Sequence, residues 1–221
     1  MKHGNFFTLS IAAASLVLLT PQLTRAQNPA SPATDDTAMS SPAAQQLAAQ
    51  MVSGQAHLLN ALDARKAQVG QPFEAAVDNT IHLKDGTELA HGTVLVGQVV
   101  TDEMHINAAS RLALRFTQAK LKDGKTLPIH AMIVGVAGPP NYDGYASSDN
   151  STPPAWTRGM LQIDERGALG DVDLHSRIMG ANSGVLVSTK KDDVKLVAGS
   201  QLSLAISAQS GQDTVGTNGG F

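Results

Sequence analysis

Residues 111–136 read RLALRFTQAKLKDGKTLPIHAMIVGV, and this stretch decides the fold class. Between 111 and 117 the apolar residues alternate with polar ones, which is the period-two pattern of a strand with one buried face. Asp123-Gly124 marks a tight turn, and residues 126–136 then return as a second long strand. The stretch therefore predicts an antiparallel hairpin with Phe116 in the core.

Further short strands are predicted on both sides of this hairpin, with turn residues such as Asp85-Gly86 between them. The links between them are too short for crossover helices, which excludes a parallel sheet. We therefore predict an all-β fold over residues 56–207, an antiparallel β-barrel or sandwich. The predicted strands are 57–63, 73–78, 80–84, 93–101, 111–117, 126–136, 183–189 and 194–207, and the predicted core includes Val96, Leu112, Leu114, Phe116 and Ile133.

Residues 138–182 interrupt the strand pattern. They hold four prolines, six glycines and every Trp and Tyr of the chain. Because proline and glycine weaken strands, we predict a long Gly/Pro-rich insertion, with one short helix at 171–179. Tyr142, Tyr145 and Trp156 either build a recognition surface or fill gaps beneath the loop, and they are the candidate binding residues.

The N-terminal 26 residues have the order of a secretory signal peptide: a basic start, an apolar run of about 11 residues and small residues before a cut between Ala26 and Gln27. Residues 27–55 are predicted to be a disordered linker with a short helix, which Ser41 caps and Gly54 ends. No later apolar stretch is long enough for a membrane-spanning helix. We expect export to the periplasm or the extracellular space, and a flexible tail at 208–221.

Composition excludes several chemistries. The chain has no cysteine, so disulfides and thiolate metal sites are absent, and a net charge of −3 without a basic stripe argues against nucleic-acid binding. His82 and His91 flank one hairpin and are close enough to meet, but a third metal ligand at fixed spacing is missing. No cofactor, metal or catalytic residue is predicted.

Two polar patterns are interpreted as structural. Asn182-Ser183-Gly184 lacks the G-x-S-x-G context of a nucleophile and is interpreted as a turn that re-enters the sheet. The adjacent acidic pairs are interpreted as solvated turn charges, since neighbours on a strand point to opposite faces. These pairs are Asp102/Glu103, Asp164/Glu165 and Asp192/Asp193.

Several strands together resemble the VirB10/TrbI-like β-barrel domain. The segments that show the resemblance are AHGTVLVGQV at 90–99, RLALRF at 111–116, KDGKTLPI at 122–129 and VKLVAGSQL at 194–202. The resemblance covers roughly residues 56–137 and 183–207, and extends to short exported proteins that carry this barrel alone. It implies a barrel fold and a place in an envelope assembly.

Together these observations predict an exported, non-enzymatic domain of the cell envelope that acts by binding or assembly. Its partner is an unknown envelope protein or polymer, and homo-oligomerisation is a further possibility. The alternatives are a carbohydrate or wall-polymer binding protein, or a hydrolase, that uses the 138–182 loop. Carboxylates about 5–10 Å apart across a cleft would favour the hydrolase.

Overall fold

The computed structural model describes residues 41–140, 161–191 and 194–209. The predicted signal peptide with its Ala26–Gln27 cut, the linker up to residue 40, Tyr142, Tyr145, Trp156 and most of the predicted tail lie outside these residues. The elements are α1 (Pro42–Gln50), β1 (Val52–Leu58), β2 (Leu62–Asp63), β3 (Pro72–Val77), β4 (Ile81–His82), β5 (Glu88–Leu89), β6 (Val94–Val100), β7 (Ser110–Lys120), β8 (Thr126–Ala137), β9 (Gln162–Leu169), β10 (Val172–Arg177), β11 (Gly184–Ser188), β12 (Lys195–Leu196) and β13 (Gln201–Ala208).

Six strands close into an antiparallel β-barrel, in the order β6-β3-β1-β13-β8-β7. A further pairing between β6 and β7 completes the ring. The prediction of an antiparallel all-β barrel is confirmed. Both Asp-Gly turns are also confirmed, because Gly86 and Gly124 adopt φ of 88° and 83°, which favour glycine.

The ring opens at one place. β7 and β8 pair only over Gln118–Lys120 and Thr126–Pro128, although both strands are much longer. Over Ser110–Leu114, β7 pairs instead with β11, and β10 and β9 extend the sheet beyond it. We call β9–β11 the arm, and the gap between β7 and β8 the split.

The arm corrects the predicted insertion. Residues 162–169 and 172–177 are strands of the main sheet, not a loop, and the predicted helix at 171–179 is wrong. In β10, Val172 and Leu174 are buried and alternate with half-buried polar residues, which is a strand pattern. The density of glycine and proline averaged over 138–182 obscured this local alternation.

Phe73 and Phe116 meet edge to face in the barrel interior, with ring centroids 5.1 Å apart. Gly97 lies against this pair, and a Cβ there would lie 2.4 Å from Cζ of Phe73 and 2.6 Å from the carbonyl oxygen of Arg115. Only a residue without a side chain allows this approach. The predicted core positions Leu112, Leu114, Phe116 and Ile133 are all buried.

Two boundary predictions and one core prediction are wrong. Val96 is half-buried, because the alternation of β6 places Leu95 and Val99 inward. The helix, which Ser41 caps as predicted, ends at Gln50, and Gly54 lies within β1. The β-domain therefore begins at residue 52 and extends to 208.

In the part of the chain that the structure describes, no helix combines the length and apolarity needed to cross a bilayer.

Candidate functional site

One surface depression, which we call the outer groove, lies beside the start of β7. It has a volume of about 310 Å³ and is bounded by the segment after β2 and the turn after β6. Seven of its eleven lining residues are apolar, and four are polar or charged. The lining residues are Ala64, Ala67, Val69, Val99, Val100, Thr101, Asp102, His105, Arg111, Leu112 and Ala113.

Val69 stands at the outer groove with 70% of its surface exposed. The backbone around it is fixed, because the Gly70 N–H donates to the Val99 carbonyl at 2.8 Å and the Val99 N–H donates to the Gln71 carbonyl at 2.8 Å. A large apolar side chain is thus presented to solvent by a hydrogen-bonded segment. Single exposed apolar residues are common on protein surfaces, and Val69 is singled out because it lines the outer groove.

The opposite wall of the outer groove is fixed by Asp102. Its carboxylate accepts hydrogen bonds from the backbone N–H groups of Met104 at 2.9 Å and Ile106 at 3.0 Å. The guanidinium of Arg111 lies 3.8 Å away, and the Asp102 side chain is only 3% exposed. Asp102 is therefore a buried turn anchor, which corrects its interpretation as a solvated charge.

The second depression, which we call the split pocket, occupies the gap between β7 and β8. Its volume is about 140 Å³, and Arg115, Thr117, His130 and Ser183 are among its lining residues. His130 donates its Nε2–H to the Ile178 carbonyl at 2.8 Å, because a carbonyl oxygen only accepts. This bond joins the barrel to the segment between β10 and β11 of the arm.

Ser183 bridges the split with three hydrogen bonds. Its N–H donates to the Leu114 carbonyl at 2.8 Å, and its carbonyl accepts from the Ile133 N–H at 2.7 Å. Its Oγ accepts from the Phe116 N–H at 3.0 Å. The predicted turn at 182–184 does re-enter the sheet, and Ser183 takes over backbone groups that β7 and β8 would otherwise leave unpaired.

The neighbouring Asn182 anchors the same turn to the wall of the outer groove. Its side-chain Nδ2 donates to the Thr101 carbonyl at 2.9 Å, and its side-chain Oδ1 accepts from the Glu103 N–H at 3.1 Å. Asn182 and Ser183 are both buried. Two consecutive side chains thus link the arm to β7 and to the turn after β6.

The histidines pair with different acceptors and do not converge. His57 lies 2.5 Å from Asp78, whereas Nδ1 of His91 hydrogen-bonds to the backbone carbonyl of Asp78 at 2.7 Å. His82 lies 3.8 Å from Glu88, so the predicted meeting of His82 and His91 is replaced by separate contacts. Among the described residues no cluster of three or more histidine and acidic side chains is arranged to hold a metal ion.

The adjacent acids Asp164 and Glu165 separate as strand geometry requires. Asp164 is exposed and lies 2.6 Å from Nδ1 of His175. Glu165 lies opposite the buried Leu174 on the other face, and its partial burial raises the pKa of its carboxyl group. The two carboxylates therefore do not act as a pair, and Asp193 and Asp192 lie outside the described residues.

Sequence reasoning missed the main features of both depressions. The alternation in β7 predicted only that Arg115 is exposed, and nothing in the local sequence shows that Ser183 meets strands distant along the chain. For Asp102 a signal existed, since an aspartate often accepts bonds from amides two residues further on.

Comparison with known proteins does not assign this chain to a family. No protein-family model matches the chain, and no curated protein is significantly similar to it.

Proposed function

We propose that this chain is an exported, non-enzymatic β-domain of the cell envelope that acts by binding or assembly, in the manner expected of a VirB10/TrbI-like barrel. The signal-like N-terminus supports export to the periplasm or the extracellular space. The resemblance of four strand segments supports the assembly role. The partner is a protein or polymer of the envelope.

The observation that carries the proposal is the outer groove with Val69 at its edge. The barrel interior is filled by buried side chains such as Phe73, Leu95 and Leu114, so a partner is bound on the outer surface. Val69 is the most exposed large apolar side chain in the described part of the chain. Burying it against a partner contributes about 1.5–3 kcal/mol to binding.

Arg111 gives the outer groove a charged group that can orient a bound partner. The side chain of Arg111 is 49% exposed, while that of its neighbour Asp102 is buried. An exposed arginine beside an apolar groove is a common feature of interface centres. The partner segment we expect is therefore apolar, with an acidic group or hydrogen-bond acceptor that faces Arg111.

The test is site-specific photocrosslinking in intact cells, with the crosslinking residue at Val69. The matched control is Leu59, an apolar residue that is 40% exposed and does not line the outer groove. We expect one discrete adduct from position 69 in the envelope fraction and none from position 59. A second variant, Val69→Lys, should abolish co-purification of that component without lowering the melting temperature.

Two outcomes would contradict the proposal. Equal adduct patterns from both positions would mean that the outer groove is not a binding surface. Recovery of the protein in the cytoplasm with its N-terminus at Met1, measured by mass spectrometry, would contradict export and the predicted cut after Ala26.

A further inference from the structure

The split pocket is lined by basic side chains, which the role proposed for the outer groove does not use. Arg115 and His130 are its titratable lining residues, and no described carboxylate lines it. The backbone of Arg115 pairs with β6, but its side chain makes no hydrogen bond or ion pair with any residue that the structure describes. A guanidinium has five N–H donors in a planar fork, and the described residues use none of the five in Arg115.

Ser183 contributes a second donor. Its Oγ accepts from the Phe116 N–H at 3.0 Å, and Ser183 is only 5% exposed. A hydroxyl group also carries one proton to donate, and within the described ranges this proton has no acceptor. Because two backbone hydrogen bonds hold the residue, the hydroxyl is fixed at the pocket before any ligand arrives.

The volume of the split pocket limits what enters it. At about 30 Å³ per water molecule, 140 Å³ holds roughly four or five water volumes. Pockets for drug-sized ligands are about 300–1,000 Å³, so this one takes only a small group. A small group that satisfies a guanidinium and a buried hydroxyl must carry acceptors and negative charge.

We propose that the split pocket binds a small oxyanion, either a phosphate or a carboxylate group. Arg115 holds the oxyanion through charge-assisted hydrogen bonds, which are the stronger kind. Ser183 donates its hydroxyl proton to a further oxygen, and His130 lines the same pocket. The oxyanion is inorganic phosphate or the carboxylate group of an organic acid, and both offer negatively charged oxygen acceptors.

The experiment titrates the purified chain with inorganic phosphate at constant ionic strength and follows the amide NMR signals of Phe116, Gly180 and Ser183. We expect these three signals to shift and saturate together. Arg115→Gln should weaken phosphate binding at least about tenfold, because a charged donor pair is lost. Arg115→Lys should give a smaller loss, since it keeps the charge and loses the fork.

The matched control is Arg166→Gln, which removes an exposed arginine of β9 that does not line the pocket. Its phosphate affinity should remain within about twofold of the parent. Arg115 is itself exposed, so neither substitution threatens the fold.

A parallel titration with acetate distinguishes the two sources, and whichever ion saturates the same signals at lower concentration identifies the ligand class. Chloride at equal ionic strength should leave these signals unshifted. Identical shifts with chloride, equal losses from Arg115→Gln and Arg166→Gln, or no saturable shift with either oxyanion would each overturn the proposal. None of these outcomes depends on the crosslinking result at Val69.

Discussion

Two buried serines allow a direct measurement of what the bridge across the split contributes to stability. The Oγ of Ser183 accepts a hydrogen bond from the buried Phe116 N–H, whereas the Oγ of Ser200 is buried and has no partner among the described residues. Both residues are at most 5% exposed. Replacing each serine by alanine removes one hydroxyl group that accepts a hydrogen bond and one that has no described partner.

Ser183→Ala should lower the free energy of unfolding by about 1–3 kcal/mol, because the Phe116 N–H is left buried without an acceptor. Ser200→Ala should leave the free energy of unfolding unchanged or raise it, since an unpaired buried hydroxyl is itself unfavourable. For a chain of this size, each kcal/mol corresponds to about 2–4 °C in melting temperature.

Urea unfolding followed by circular dichroism measures both variants, in phosphate-free buffer so that the split pocket remains empty. The slope of free energy against urea should stay constant, because neither substitution changes the surface that unfolding exposes. Equal destabilisation by Ser183→Ala and Ser200→Ala would refute the argument, since the loss would then follow from side-chain removal and not from the bridge.

Three further predictions follow from burial and charge. Phe116→Ala should lower the free energy of unfolding by about 3–5 kcal/mol in the same urea assay, and a loss below about 1 kcal/mol would contradict its place in the core. Glu165→Gln should stabilise the protein at neutral pH and lose this effect in acid. The raised carboxyl pKa means that the ionised form of Glu165 lowers stability at neutral pH and that this cost disappears on protonation in acid, and a pH-independent effect would contradict this sign. Replacement of residues 141–180 by a short Gly-Ser linker should prevent folding, because it removes β9 and β10 with their buried side chains. A cooperative melt at the parent temperature would show that β9 and β10 are dispensable.

The barrel could be predicted because its signals are local. Alternation in β7 and the Asp-Gly turns at 85–86 and 123–124 each depend on neighbours in sequence, and the structure has them where expected. The error at Val96 shows the limit of this reasoning. A run of apolar residues such as Val94–Val96 does not reveal its phase until one face is packed.

The arm and the split pocket could not be predicted in the same way. The alternation of Val172 and Leu174 was present in the sequence, but it lies within a segment whose overall composition favours loops. Ser183 and Arg115 come together only because β7 exchanges one partner strand for another along its length. No pattern within a short window encodes that exchange.

The pairing of β1 with β13 constrains how the protein folds. Residues 52–57 of β1 pair with residues 201–206 of β13. One edge of the first barrel strand therefore has no partner until the last strand is present. A chain that has emerged only to residue 200 presents two open strand edges, at β1 and β8, which are prone to pair with other chains. Such long sequence separation between partners also slows folding. The barrel can therefore close only when residues 201–206 are present to pair with β1.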